Sequence, residues 1–389
     1  MKILLLGVGL QGKAALHDLA SSPSVSHVTA ADINYDDLNT IVSKLDTDKV
    51  NPVRLDVRDR NQVSELMDAV DAVIILLPKD YRLDMARLAV EKGVHFVETS
   101  YAMPEYKDLG RQAADKGITL LPELGLDPGI DLVLAGRAIN ELDEVQELHA
   151  YGTGVPEPEA ANNPIKYKIS WTFAGVLSAY QRPARILKDG QVVVLTPEKM
   201  FDEEYLHYVN VEDVGLMEAY FNGDAVKYLD IFGITESAQT TGRYTLRWPG
   251  HSAFWQKMSG LGFLQDDSIQ VGDAEISPRQ FVHDLLSPQL QYKEDERDIA
   301  GIRIDARGIK DGKRVRIIYQ MMDRRDLETG LLAMQRTVGY TASIGAQMIL
   351  RGDIQKRGLL TPSNDVPSDI FIAELEKRGI KISRFEKEW

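Results

Sequence analysis

The chain has 389 residues, 44% apolar and 27% charged, with a formal charge of −14. That length supports two domains with sizeable cores, and the acidic balance excludes nucleic acid and anionic membranes as natural partners. No apolar run approaches the roughly 20 residues of a membrane span. The lack of cysteine excludes disulfides, thiolate metal sites and a cysteine nucleophile, and fits a reducing cytoplasm.

The first apolar run, 3–6, has no cleavage pattern behind it and reads as a buried strand. It passes without a gap into Gly7-x-Gly9-x-x-Gly12, then into a helical stretch with Ala15, Leu16 and Leu19 on one side. Strand, glycine turn and helix form the context of a dinucleotide fingerprint. Gly7 permits the tight turn, Gly9 lets a pyrophosphate approach the backbone, and Gly12 allows close packing of helix on strand. Leu10 and Gln11 complete the loop, whose helix N-terminus offers N–H groups and a positive dipole end. A second strand, 28–31, ends in Asp32, 20 positions after Gly12. Such an acid bonds the ribose hydroxyls and repels a 2′-phosphate. Ile33, Asn34 and Tyr35 supply no arginine, so the cofactor is expected to be NAD.

Further strands are predicted at 53–55, 72–77, 95–97 and 118–121, with helical patterns at 36–44, 61–69, 81–91 and 104–116. This alternation implies right-handed βαβ units and a parallel sheet. Asp56, past the third strand, falls where adenine edges lie, and Leu77-Pro78 closes the fourth at its ligand-binding end. Ser100 and Tyr101 follow the fifth strand on the cofactor side. In Asp127-Pro128-Gly129-Ile130-Asp131, Asp127 is a candidate at the domain junction. Asp131 either serves the site or stabilises the first turn of a helix at 130–140.

The second domain is predicted to be α+β with a mainly antiparallel sheet. Its strands are 147–151, 166–171, 191–195 and 244–248, plus a hairpin turning at Asp311-Gly312. In that hairpin Ile302, Ile304 and Ala306 alternate with Arg303, Asp305 and Arg307, which predicts one buried and one solvated face. Arg243, Thr245 and Arg247 share a strand face and read either as a carboxylate grip or as a solvated face. His251, after a Pro-Gly turn, is either a proton carrier or a structural residue. A long helix at 331–350 and another at 370–377 are expected to return to the nucleotide domain. This gives a Rossmann domain of 1–126 plus 338–389 and a substrate and dimerisation domain of 127–337. The seven histidines show no metal-binding spacing, so no metal site is expected.

Four segments together resemble the saccharopine dehydrogenase family over nearly the whole chain. They are 123–131; 154–159 with 163–164 and 167–171; Arg243-Tyr244-Thr245-Leu246-Arg247-Trp248-Pro249-Gly250-His251; and 337–342. The resemblance implies a Rossmann domain with an inserted substrate domain, a homodimer, and hydride exchange between an amine carbon and a nicotinamide. It places Ser100, Tyr101, Asp127, Thr245 and Arg247 at the substrate site. The saccharopine branch has Pro-Asn-Arg-Asp where this chain has Phe221-Asn222-Gly223-Asp224. Losing that arginine suggests a substrate with fewer carboxylates. The leading expectation is therefore an NAD-dependent L-lysine 6-dehydrogenase, with Arg247 and Thr245 on the carboxylate and Asp127 or a water on the amine proton. A saccharopine reductase and a catalytically silent NAD-binding regulator are the alternatives.

Overall fold

The computed structural model describes residues 1–389. In chain order the first elements are β1 (Lys2–Leu6), α1 (Gly12–Ser21), β2 (His27–Asp32), α2 (Tyr35–Val42), β3 (Val50–Arg54) and α3 (Arg60–Met67). Then come β4 (Ala72–Ile75), α4 (Lys79–Lys92), β5 (His95–Glu98), α5 (Tyr106–Asp115), β6 (Thr119–Leu121) and α6 (Ile130–Asn140). The middle of the chain holds β7 (Glu144–Pro156), α7 (Phe173–Ala179), β8 (Ala184–Lys188), β9 (Gln191–Leu195), β10 (His207–Val211), β11 (Gly215–Phe221) and α8 (Tyr228–Phe232). It continues with β12 (Thr240–Arg247), α9 (His251–Gly260), β13 (Ile269–Val271), β14 (Ala274–Ile276) and α10 (Pro278–Leu286). The last are β15 (Asp298–Lys310), β16 (Lys313–Arg324), α11 (Ala333–Arg351), β17 (Gly358–Leu359), α12 (Pro362–Asp365), α13 (Ser368–Lys377) and β18 (Ile382–Glu388).

The chain divides into two compact units: Met1–Arg137 with Gln335–Ile382, and Ala138–Met334 with Ser383–Trp389. The first is built on a seven-stranded sheet ordered β17-β6-β5-β4-β1-β2-β3. Every pairing in it is parallel. Strand order reverses between β1 and β4, the topological switch point where ligands bind beyond the carboxyl ends of such sheets. One face is filled by Leu4, Leu6, Val73, Ile75, Phe96 and Leu120 against Met85, Leu88, Ala89 and Tyr106 of the helices. Continuous apolar strands are what burial on both faces demands.

Residues 335–382 complete this unit. Gly339 lies so close to α1 that a Cβ there would meet the Gln11 carbonyl and the Ala15 nitrogen at 2.6 Å. Beneath it, the buried Asp18 carboxylate of α1 accepts from Arg378 Nε at 2.5 Å and from Ser343 Oγ at 2.6 Å. Arg378 also pairs with Glu374 at 2.7 Å. This polar pin joins the glycine-loop helix to the end of the chain.

His95 shows how the sheet edge responds to acid. Its Nδ1 accepts the Thr119 N–H at 3.0 Å, which requires a neutral ring. Burial, helped by the Arg357 charge, lowers its pKa to about 4. The charged form is therefore favoured in the unfolded chain. The stabilisation is complete above pH 6.5 and is lost as pH falls through 4. At about 1.4 kcal/mol per pKa unit, up to roughly 3 kcal/mol is at stake. Denaturant unfolding at pH 7 and pH 4.5 is expected to show this loss in the wild type and a smaller one in His95→Asn, which keeps an acceptor but does not titrate.

The second unit has a nine-stranded sheet with the path β10-β11-β12-β7-β15-β16-β18, and β8 and β9 attached beside β12. It is mixed, not the mainly antiparallel sheet expected from the sequence. β12 runs parallel to β7 at its centre, from Thr240 beside Glu147 to Leu246 beside Thr153. The long excursion between these strands lets the chain re-enter the sheet in the same direction, which a tight turn cannot do.

Two further expectations are corrected here. Residues 166–171 form no strand. Asn163 donates to the Tyr167 carbonyl and accepts its N–H, while Ile169 N–H bonds the Leu290 carbonyl, so no ladder is left to form. The polar face of the 302–317 hairpin is covered at Arg303 and Asp305, partly exposed at Arg307 and Arg316, and solvated at Arg314. Asp305 is 1% exposed and pairs with Arg307 and Arg316. Alternation identified the two faces, but mutual pairing of the charges allows part of the second to be buried too. No helix is long and apolar enough to cross a membrane.

Candidate functional site

In the first unit, the loop between β1 and α1 has the shape a dinucleotide needs. Gly7 has φ +90°, and a Cβ there would meet the Leu76 carbonyl oxygen at 2.5 Å. A Cβ at Gly12 would lie 2.2 Å from the Gly7 carbonyl oxygen. Gly9, by contrast, has nothing within 4 Å of its Cβ position, so that side of the backbone is open to a phosphate. Leu10 is exposed beside it, and the buried Gln11 Oε1 has no hydrogen-bond partner. Leu77 borders Gly7, and Pro78 precedes α4.

Asp32 ends β2. Its carboxylate accepts from Val8 N–H at 2.7 Å and from Asn34 N–H at 2.8 Å, which ties the strand tip to the glycine loop. The same oxygens retain lone pairs for ribose hydroxyls. One strand further out, Asp56 is gripped by Arg58, whose guanidinium holds the carboxyl down at about 2. An adenine amine at this point has to share that carboxylate.

Tyr101 and Asp127 are brought together in this unit, with the Tyr101 hydroxyl 3.5 Å from Asp127 Oδ1. Ser100 precedes this tyrosine, and its carbonyl accepts the Glu123 N–H at 3.0 Å. Asp131 has a structural role: 2% exposed, it accepts the Gly129 N–H at 2.7 Å.

The second unit holds a buried cation without an anion. Arg247 is 6% exposed, and its guanidinium lies over the Tyr167 ring at 5.4 Å. It donates to the Leu246 carbonyl at 3.0 Å, but no carboxylate pairs with it, and its Nε has no partner. Burial opposes the charge, and the facing hydroxyls of Tyr220, Tyr180 and Tyr167 more than offset this. The Tyr167 and Tyr292 hydroxyls of this neighbourhood are also unpartnered. His251 stacks on Tyr220 and is 2.9 Å from the Tyr180 hydroxyl through Nε2. Burial and the Arg247 charge push its pKa well down, so its ring is neutral.

Glu218 explains why His251 sits there. Its buried carboxylate accepts from Gly250 N–H at 3.0 Å and Ser252 N–H at 2.7 Å, capping α9 at its first turn. The two strand arginines engage different rings. Arg243 lies over Tyr228 at 4.8 Å and Arg247 over Tyr167 at 5.4 Å. Thr245, between them on β12, is half-buried. Sequence reasoning missed Glu218 and the Tyr180–Tyr220 pair as parts of this site. Glu218 pairs in register with Arg247, a cross-strand neighbour that spacing along one chain segment does not reveal.

The fold and the glycine loop define a Rossmann-type dinucleotide-binding protein with a second unit built on a mixed sheet. A model for the saccharopine dehydrogenase NADP binding domain matches residues 3–121, and one for the saccharopine dehydrogenase C-terminal domain matches 125–380. The chain belongs to the saccharopine dehydrogenase family. It is 30% identical to the mitochondrial alpha-aminoadipic semialdehyde synthase of Mus musculus, covering 97% of this chain but 47% of that protein. It spans just under half the length of such synthases. It is 26% identical to the Saccharomyces cerevisiae saccharopine dehydrogenase [NADP(+), L-glutamate-forming], covering 97% of each. The apo structure of the Saccharomyces cerevisiae saccharopine dehydrogenase (L-Glu forming) superposes with a TM-score of 0.87 at 25% identity, over 99% of each chain.

Proposed function

We propose that this chain is a nicotinamide-dinucleotide oxidoreductase acting on the secondary amine of saccharopine, in the L-glutamate-forming sense. The observation that carries this reading is Arg247, a buried guanidinium with no anion, in a chain whose full-length relatives are named for that reaction. The surrounding tyrosine hydroxyls hold the charge but supply no negative partner, and a substrate carboxylate supplies one. In this reading Arg247, with Thr245 beside it and neutral His251 as hydrogen-bonding neighbour, holds the carboxylate. Asp127 with Tyr101 takes the amine proton. The bound cofactor supplies a hydride acceptor. The reading includes a homodimer, supported by exposed Val192, Val194, Tyr208 and Leu216 on the strands of the second unit. Sedimentation checks it.

These relatives displace lysine 6-dehydrogenase as the leading reading. It remains second because Gly223 stands where the saccharopine branch has an arginine. The neighbouring Arg185 is tied to Asp224 at 2.8 Å and does not replace it freely. NADH or NADPH absorbance with saccharopine and lysine decides between the two. Turnover of lysine alone overturns the saccharopine reading, and turnover of neither overturns both.

We also propose NAD over NADP, although the relatives' names carry NADP(+). Both cations near the tip of β2 are already paired, Arg54 with Asp36 at 3.5 Å and Arg58 with Asp56 at 2.5 Å, and Asp32 adds a negative charge. Asp32→Asn keeps an acceptor for Val8 N–H but removes the charge. It is expected to narrow the preference for NAD by about tenfold, since one charge contact is worth about 1.4 kcal/mol or more at this depth. Equal wild-type affinities in a titration with both cofactors would sink the claim.

A further inference from the structure

The first unit contains a buried ion pair that the roles above do not use. Glu98, at the end of β5, is 0% exposed, and neither of its carboxyl oxygens is hydrogen-bonded. Its nearest cation is Arg82 of α4, whose Nε is 3.5 Å from Glu98 Oε2 and is itself without a hydrogen-bond partner. The other end of that guanidinium is committed: Nη2 donates to the Tyr101 carbonyl at 3.1 Å. Arg82 therefore stands between a buried carboxyl and the backbone of a candidate site residue.

Which of the two it serves depends on the charge of Glu98. A buried carboxylate without hydrogen bonds is strongly disfavoured, whereas the neutral acid is tolerated. Burial raises the pKa to about 7, with the Arg82 charge pulling it down and Glu123, beyond β6, pushing it up, while the unpartnered Tyr106 hydroxyl of α5 also faces the carboxyl. When the carboxyl ionises, the 3.5 Å gap to Arg82 becomes a charge-assisted contact that shortening improves. Closing it competes with the Nη2 contact to the Tyr101 carbonyl, because one guanidinium makes both.

We propose that Arg82 and Glu98 are a positioning pair for the Ser100–Tyr101 segment. With Glu98 protonated, Arg82 holds the Tyr101 carbonyl and the segment is ordered. With Glu98 ionised, the segment is released. The role of that segment at the substrate site rests on the function proposed above, but the switch itself does not. Glu98 and Arg82 are positioning residues and touch no reacting atom.

The test is hydrogen–deuterium exchange on the full chain, without substrate or cofactor, at pH 6 and pH 8.5, corrected for intrinsic rates. The amide of Glu123, which bonds the Ser100 carbonyl at 3.0 Å, reports on the segment. Wild type is expected to lose protection there by about tenfold at the higher pH, from one charge-assisted hydrogen bond. Glu98→Gln, isosteric and permanently neutral, is expected to keep its protection at both. Arg82→Gln is expected to show low protection at both. An unchanged wild type overturns the proposal and needs no variant to fold; the same drop in Glu98→Gln also overturns it. Because nothing is turned over, a failed saccharopine assay leaves this result intact. Where an amine substrate is turned over, kcat/KM of wild type is expected to fall above pH 7 through an inflection that Glu98→Gln lacks, with dinucleotide affinity unchanged.

Discussion

Arg247→Ala is expected to lower kcat/KM roughly 10- to 100-fold for the amine substrate that is turned over best. A charge-assisted hydrogen bond to a carboxylate is worth about 1.5–3 kcal/mol, and each 1.4 kcal/mol is about a decade in rate. Burial places Arg247 at the upper part of this range, because solvent screens the contact little. Arg247→Lys is expected to remain impaired, since an ammonium lacks the planar fork that meets both carboxylate oxygens. The control is a substrate without the carboxylate, such as cadaverine in place of lysine or the corresponding decarboxylated secondary amine. The mutational loss is expected to shrink with it. An equal loss with both amines means that Arg247 supports the aromatic cluster and does not read the carboxylate. The wild type also carries its own signature. If an anion completes this site, a bound dicarboxylate is expected to raise the melting temperature of wild type and not of Arg247→Ala.

Asp18→Ala is expected to lower unfolding stability by about 3 kcal/mol, the low end of what breaking a buried ion pair costs. Asp18 accepts from four donors: Arg378 Nε and Nη2, Ser343 Oγ and Gln347 Nε2. Its removal leaves Arg378 buried with only Glu374 to face it, which keeps the loss from being larger. Asp18→Asn is expected to fall between, because the amide still accepts but the charge is gone. Asp18→Leu with Arg378→Met removes both partners and is expected to recover much of the loss. Urea unfolding of the single and double variants measures this directly. Dinucleotide affinity is expected to fall with Asp18→Ala as well. α11, held to α1 by this pin, lies against the first turn of the helix that receives the phosphates. Wild-type affinity in Asp18→Ala shows that the pin supports the fold alone.

Local physics is legible in sequence, and the glycine loop illustrates why. Gly7, Gly9, Gly12 and Asp32 act through backbone geometry over a few residues, so their order and spacing specify the arrangement. The same holds for the alternation of strands and helices that makes the first sheet parallel. The cap at Gly129 by Asp131 is likewise a short-range bond. Where the sequence misled, the deciding partners were ones a strand pattern does not register, some a few residues away and one far along the chain. Residues 166–171 have strand composition, but Asn163 and the Leu290 carbonyl take up their hydrogen bonds. Asp305 has the pattern of a solvated residue, but Arg316 and Arg307 neutralise it under cover.

The sequence by itself determined that this chain binds a dinucleotide-shaped ligand on a parallel sheet and that a polar, aromatic strand carries Arg247. Only the tertiary structure decided that Arg247 is buried with no counter-charge, that Glu218 caps the His251 turn, and that Glu98 and Arg82 share a buried gap. A hydrogen-bonding loop is a property of neighbours in the chain. The charge state and pairing of a buried group depend on what desolvates it, and its neighbours in space are set by strand order and register that no single segment encodes.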